Sequence, residues 1–346
     1  MSRRPIVRAA TFVALGLVLF GFGWYAHAWQ RRADRLAERR VRLAGFRLVS
    51  PLLDVELPEG YQVDREPISF RGELVDFVEA QVRAGRVSEM SVYYRDLMDG
   101  PWIGVNEKRK YDPASMMKVP VMIAWLKRAE REPQALQATF VFQERSYPGS
   151  GQALPPDRTL SDGRRYTADE LLRYMLAYSD NRAMWLLYGA LRPEELADVL
   201  DSMDVANDPD DTGNSISVLG YSGFFRILFN ASYLGRDMSE KALELLALQD
   251  FPRGIVAGVP KGTVVASKFG ETAPAAPGAE LQLHEFGIVY HPNGPYILGI
   301  MTVGHDWNAQ ADVLRDVSKL VYDQIASQAA RPAEVSAREV PGPRRP

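Results

Sequence analysis

The sequence predicts an α/β + α fold: one antiparallel sheet flanked by N- and C-terminal helices, with an all-helical subdomain inserted between its strands and one transmembrane helix ahead of it. Three observations predict this. A hairpin pattern over residues 90–105 precedes a long helical block, and three strand patterns come after that block, beyond Pro252. A sheet whose strands lie on both sides of such a block has to be completed by distant segments. Finally, 22 residues without a formal charge lie between Arg8 and Arg31.

Those 22 residues include Phe12-Val-Ala-Leu-Gly-Leu-Val-Leu-Phe20. A helix of that length spans about 33 Å, enough to cross a bilayer. Trp24, Tyr25 and Trp29 gather at one end, as an interfacial aromatic belt does. Three readings compete. The stretch is a permanent anchor; or a cleaved signal, since Ala26-His-Ala28 has small-x-small form; or a twin-arginine export signal, from Ser2-Arg-Arg-Pro. Its length favours the anchor. Arg31, Arg32, Arg35, Arg39, Arg40 and Arg42 outnumber Arg3, Arg4 and Arg8, which by the positive-inside rule would keep the body in the cytoplasm. Large domains are exported regardless of flanking charge, so the expected location is a bacterial cell membrane, single-pass, with the main domain extracytoplasmic. The expected organisation is an anchor or signal segment over 1–30, a basic stalk and lead-in over 31–65, the main domain over 66–328 and a Pro-, Ala- and Arg-rich disordered tail over 329–346.

Within the main domain, residues 70–85 carry apolar residues at helical spacing (Leu74, Phe77, Val78, Val82). Residues 90–97 read as a strand, Met98-Asp-Gly-Pro101 as a turn and Trp102-Ile-Gly-Val105 as the returning strand. A helix follows Ser115. Further helices are expected over 170–191, 193–203, 221–234 and 239–249. The stretch 141–166 is a long insertion rich in Pro, Gly and Arg, suited to covering one side of a cleft. Residues 263–268, 281–290 and 296–303 read as successive antiparallel strands, with His291-Pro-Asn-Gly-Pro295 as the last turn. An amphipathic helix over 309–328 closes the domain.

Composition narrows the chemistry. With 46% hydrophobic and 25% charged residues the chain is an ordinary globular one. A net charge of −3 and the lack of a basic patch interleaved with aromatics give no support for a nucleic-acid partner. There is no cysteine, which removes disulfides, thiol catalysis and thiolate metal sites. The four histidines have no helical ligand spacing, so no metal site and no cofactor are expected.

Three short motifs remain. In Pro113-Ala-Ser-Met-Met-Lys118, one helical turn brings the Lys118 amine above the Ser115 hydroxyl. A serine needs a base at neutral pH, and a lysine serves if apolar surroundings lower its pKa. The alternative is an ordinary capping serine and a surface lysine. Tyr178-Ser-Asp-Asn181 sits at a turn between two helices, either as a capping turn or as a proton relay (Ser179) and an amide contact (Asn181). Ser267-Lys-Phe-Gly270 puts a lysine at a strand end, followed closely by glycine.

In this order the three resemble the signature of the penicillin-recognising serine enzymes, Ser-x-x-Lys, Ser-Asp-Asn and Lys-Thr-Gly. Residues 113–120, 166–181, 258–262 and 284–290 look like class A β-lactamase segments, and the resemblance spans roughly 66–326. It implies a β-lactamase/D,D-peptidase fold with Ser115 as acylated nucleophile, Lys118 as its base or base partner, and Ser179 passing a proton to the leaving nitrogen. Asn181 would hold a substrate amide and Lys268 a substrate carboxylate. Gly270 leads to Glu271, whose N–H would join that of Ser115 in an oxyanion hole. The implied partner is a peptidoglycan peptide or a β-lactam-like small molecule. Two departures stand out. Class A enzymes activate the deacylating water with a glutamate, but residues 196–239 contain none, only Asp208, Asp210 and Asp211 in the loop. The threonine of Lys-Thr-Gly is Phe269, and Glu271 adds a carboxylate nearby. The first departure fits D,D-peptidases better than β-lactamases. The second leaves open a substrate without the usual carboxylate, a cleft closed by Phe269, or a non-catalytic binding protein.

Overall fold

The computed structural model describes residues 47–50, 70–98, 100–149, 152, 154–203, 215–272 and 279–330. The expected membrane helix lies outside the described residues, as do the stalk and lead-in apart from 47–50, the tail beyond Ala330, and Asp208, Asp210 and Asp211; residues 329 and 330, expected in the tail, continue the closing helix. No described helix is long and apolar enough to cross a membrane. The chain divides into two compact units, Met1–Tyr61 and Gln62–Pro346. Only residues 47–50 of the first are described, and all the elements named below belong to the second.

Five antiparallel strands form the sheet, in the order β2-β1-β9-β8-β7. They are β1 (Glu89–Asp96), β2 (Trp102–Val105), β7 (Val265–Thr272), β8 (Leu281–Val289) and β9 (Tyr296–Gly304). Strand β9 is the middle strand and is buried along its whole length. Its sequence, Tyr-Ile-Leu-Gly-Ile-Met-Thr-Val-Gly, is apolar nearly throughout rather than alternating, as a strand covered on both faces requires. On one face, α1 (Arg71–Arg83) and α8 (Trp307–Ala330) contribute Leu74, Val78, Val313, Leu314 and Val317 to a core shared with Val92, Leu298 and Ile300. On the other, Tyr221 and Phe225 of α6 (Val218–Phe229) pack their rings on Phe286 of β8. Phe286 in turn lies over its register partner Gly299, where a Cβ would stand 1.9 Å from the ring.

The helical subdomain is built around α2 (Lys118–Arg131), with α3 (Ala168–Ala177), α4 (Asn181–Gly189), α5 (Pro193–Asp201) and α7 (Arg236–Leu246). Two short pairs were not anticipated from sequence: β3 (Lys110–Tyr111) with β6 (Ile216–Ser217), and β4 (Thr139–Val141) with β5 (Arg165–Thr167). Two and three residues carry too little periodicity to be read as strands. The expected 170–191 helix is two, broken at the Ser179 turn; the 221–234 helix runs Val218–Phe229 and ends five residues early; the closing helix extends two residues beyond each expected end. The 263–268 strand runs on to Thr272, so Lys268 is in mid-strand and not at a strand end.

An internal ion pair fixes α5 on α2. Arg128 donates from Nε to Glu195 Oε1 at 2.8 Å and from Nη2 to Glu195 Oε2, and also to the Ala190 carbonyl at 3.1 Å. The Arg128 hydrogen bonds hold the Glu195 carboxyl at about 2, below its ordinary 4.5. A depressed carboxyl pKa stabilises the fold above the unfolded value and loses that effect as pH falls through the folded one. Glu195→Gln is therefore expected to cost about 1–2 kcal/mol at neutral pH, because it removes a charge-assisted partner from a part-buried pair. The penalty should shrink as the pH drops from 4.5 towards 2, which denaturant melts of both proteins at several pH values will show.

Candidate active site

Ser115 stands on a tight bend. Asp112 Oδ1 accepts from the Ala114 N–H at 2.9 Å, and Ala114 takes a φ of +48°, a strained value for a residue with a Cβ. A 3₁₀ turn, Ala114–Met117, then carries the chain into α2. The α-helix therefore starts at Lys118, not at Ser115. The turn is clamped from three sides. Tyr221 donates its hydroxyl to the Met116 carbonyl at 2.7 Å. His284 of β8 accepts from the Thr302 N–H on Nδ1 at 3.2 Å, so its Nε2 carries the hydrogen and donates to the Asp112 carbonyl at 3.1 Å. Burial lowers the His284 pKa to about 4, which keeps this ring neutral near neutral pH. Gly270 supplies the third side: a Cβ there would meet the Pro113 carbonyl at 2.7 Å and the Met116 amide at 3.1 Å.

Lys118 is 2% exposed, and its amine touches four oxygens. These are Ser115 Oγ at 2.9 Å, the Ser179 carbonyl at 2.7 Å, Ser179 Oγ at 3.0 Å and Asn181 Oδ1 at 2.6 Å. The carbonyl and the amide oxygen can only accept, so they take two N–H bonds in either protonation state. The third direction faces the two hydroxyls. It holds an N–H when the amine is charged and a lone pair when it is neutral. Burial lowers this pKa to about 7, against the pull of Asp180 and Glu271. A neutral lysine beside the serine hydroxyl is thus populated at physiological pH, and a neutral lysine is a base.

Ser179 lies between α3 and α4 with a φ of +56°. The residue that holds it there is Asp180, fully buried, which accepts from the Thr159 hydroxyl, the Leu160 N–H and the Arg182 N–H, each within 2.9 Å. Ser179 Oγ also accepts from Lys268 Nζ at 3.0 Å, so one hydroxyl bridges two lysines. The second Lys268 contact is the Phe269 carbonyl at 2.9 Å. Burial, and then the charge of Lys118, push the Lys268 pKa well below its ordinary value.

Strand β7 is the sheet's edge, and alternate residues turn their backbone groups away from β8. The Phe269 N–H points away from β8, since it donates to Gln249 Oε1 at 2.7 Å. Two residues on, Glu271 presents its N–H on the same edge. The Phe269 ring stacks on Phe251 at 4.5 Å with 18° between planes, and is 5% exposed. The ring thus packs against Phe251 and also lies 4.0 Å from Lys268 Nζ, but it offers no hydroxyl. Two residues of the insertion touch this region: Gln152 Nε2 donates to the Ser179 carbonyl at 3.1 Å, and the Leu154 N–H to Glu271 Oε1 at 3.4 Å. Of the seven sequence-derived positions, Ser115, Lys118, Ser179, Asn181 and Lys268 are joined by hydrogen bonds, Gly270 packs on the turn that carries Ser115, and Glu271 follows on the same strand. Among the described residues no cluster of His, Asp or Glu is arranged to hold a metal.

The family model for β-lactamase enzymes matches residues 73–325. The chain belongs to the β-lactamase enzyme family. Among solved structures it is similar to a β-lactamase from Sphaerobacter thermophilus DSM 20745, with a TM-score of 0.63 and 21% identity over 75% of this chain and 98% of that one. A PBP-A variant captured as its acyl-enzyme with penicillin G aligns at TM-score 0.62 and 20% identity, over 77% of this chain and 100% of that one. A β-lactamase from Xanthomonas campestris pv. campestris str. ATCC 33913 aligns at 0.64 and 17%, over 75% and 100%. At such identities the likeness establishes the fold. Curated protein sequences give no match.

Sequence reasoning missed the supports of this candidate site: Asp180 as an anchor, Tyr221, His284, Gln249 and Glu285. One signal was available. His284-Glu285 are two titratable residues in the middle of a strand otherwise rich in apolar residues, and such a pair inside a buried strand needs partners.

Proposed function

We propose that this protein is an exported, membrane-anchored serine hydrolase that works through an acyl-enzyme on Ser115 and acts on a cell-wall peptide or a related amide. The observation that carries this is the buried Lys118 amine, 2.9 Å from Ser115 Oγ, with its pKa brought to about 7. In this reading Ser115 Oγ attacks the substrate carbonyl carbon while its proton passes to the Lys118 lone pair. The N–H groups of Ser115 and Glu271 receive the oxyanion. Ser179, bridging both lysines, hands a proton to the leaving nitrogen as the C–N bond breaks, and water then hydrolyses the ester. Asn181 holds a substrate amide and Lys268 an anionic group. The serine-hydrolase reading follows the family; the substrate, the membrane anchor and the extracytoplasmic location rest on the sequence.

Two observations bear on substrate. The stretch 196–239 has no glutamate to drive fast deacylation, which favours peptidase-like chemistry over a β-lactamase with an unconventional base. Phe269 favours a different second reading, a binding protein on this fold, because the hydroxyl that would bond a substrate carboxylate is missing. A hydrogen bond to a charged group is worth about 1.5–3 kcal/mol. Phe269→Thr is accordingly expected to speed acylation by a carboxylate-bearing penicillin about 10- to 100-fold. The test compares release of D-alanine from an acyl-D-Ala-D-Ala peptide with opening of penicillin G. The peptidase-like reading expects peptide turnover and a long-lived penicillin adduct. Rapid penicillin turnover would replace it with the β-lactamase reading, and retention of peptide without cleavage or adduct would replace it with the binding protein.

A further inference from the structure

Behind Lys268, on the opposite side of the strand, sits a fully buried carboxyl that the acyl-transfer chemistry does not use. Glu285 of β8 pairs in register with Phe269 of β7. Its Oε2 accepts from the Ile255 N–H at 2.6 Å, and its Oε1 from Ser267 Oγ at 2.8 Å and Gln249 Nε2 at 3.0 Å. Three separate segments therefore converge on one group. The pocket is shaped for it: a Cβ on Gly254 would stand 1.8 Å from Glu285 Oε2.

The orientation of Gln249 is not free. Its Oε1 accepts from the Phe269 N–H, which can only donate, so its Nε2 must face Glu285. Two of the three groups around the carboxyl, the Ile255 and Gln249 N–H donors, can therefore only donate. Such surroundings suit the ionised form. On the same edge of the strand the Phe269 carbonyl, in the next peptide unit, accepts from Lys268 Nζ. A chain of contacts thus runs from Glu285 through Gln249 and the Phe269 backbone to Lys268, then to Ser179, Lys118 and Ser115.

We propose that Glu285 is a positioning residue for Lys268: it fixes, through Gln249 and Ser267, the edge-strand backbone that seats the amine, and its negative charge holds that amine cationic beneath the cleft. The inference rests on the reading of Lys268 as the group that receives an anionic part of the substrate. The charged groups acting on Lys268 are Lys118 from α2, which opposes its charge, and Glu285 and Glu271, which favour it. Asp180 acts on Lys118. Burial raises the Glu285 pKa to about 7 against its hydrogen bonds from Ile255, Ser267 and Gln249 and against the charge of Lys268, so the amine's charge favours the ionised carboxyl as the carboxyl's favours the charged amine.

The experiment uses the full chain labelled with ¹³C at lysine Cε, with Lys118 and Lys268 assigned by substitution, and follows both resonances by NMR from pH 5 to 10. In Glu285→Gln the Lys268 midpoint is expected to fall by roughly one pH unit or more, the effect of losing a close opposite charge. The Lys118 midpoint should rise, because its cationic neighbour is lost. Water entering a loosened strand would instead relieve burial and raise both. Both rising, or neither moving, would overturn the proposal. Ser267→Ala, which removes one donor and leaves the carboxyl in place, should move both midpoints in the proposal's directions by less; it decides the matter if Glu285→Gln does not fold. Penicillin acylation of the wild type is measured alongside. Its absence would count against the proposed function, while the lysine midpoints would still decide the role of Glu285.

Discussion

Lys118→Met is expected to slow acylation of Ser115 by roughly a thousandfold, within the range that a positioned general base contributes. Methionine keeps the apolar volume of the lysine stem but has no lone pair on nitrogen to receive the Ser115 proton. It also leaves the Ser179 carbonyl and Asn181 Oδ1, each now bonded to the amine, without that donor. The wild-type rate should depend on pH in a defined direction. Only the neutral amine is a base, so acylation should rise with pH through a midpoint near 7, where burial has placed the Lys118 pKa. In Lys118→Met that rise should vanish. A rate that falls with increasing pH through the same range would mean the protonated amine is the active form and would reverse the assignment of base and electrostatic partner.

Gly270→Ala should be nearly as damaging, for a steric reason. The added methyl would stand 2.7 Å from the Pro113 carbonyl and 2.9 Å from Met116 Cγ. Neither can yield cheaply, because the Tyr221 hydroxyl and His284 hold the same turn. The edge strand must therefore move away from Ser115, separating the two N–H groups proposed for the oxyanion. Overpacking of this kind costs about 1–3 kcal/mol of stability. Removing an oxyanion donor costs about 10²–10³-fold in rate. Thermal melts and acylation rates measured together will separate the two effects. A variant that is destabilised but acylates at the wild-type rate would show that the Glu271 N–H takes no part.

How far this was legible in the sequence depended on the kind of information each residue carries. The strands and long helices were readable because their apolar periodicity is set by burial, and β9, apolar nearly throughout, announced its central place. Ser115, Lys118, Ser179, Asn181 and Lys268 were readable because their residue types recur in order within short motifs. The 3₁₀ turn at Ser115 was not: its cause is a positive φ at Ala114 and an Asp112 side-chain bond, neither of which has a periodic signature. The Phe269 substitution was visible, but the direction of its ring was not, because that depends on Phe251, eighteen residues away in sequence and in a different segment. Glu285 and Gln249 could not be joined to Lys268 from sequence, since the link runs through a backbone amide that only the sheet register brings into place.

The central claim is that Ser115 is a nucleophile activated by Lys118. The most direct measurement is the intact mass of the protein after incubation with penicillin G, beside a Ser115→Ala control. The account predicts a stable increase by the mass of one penicillin on the wild type and none on Ser115→Ala. No adduct on the wild type, with the penicillin left unconsumed, would contradict it.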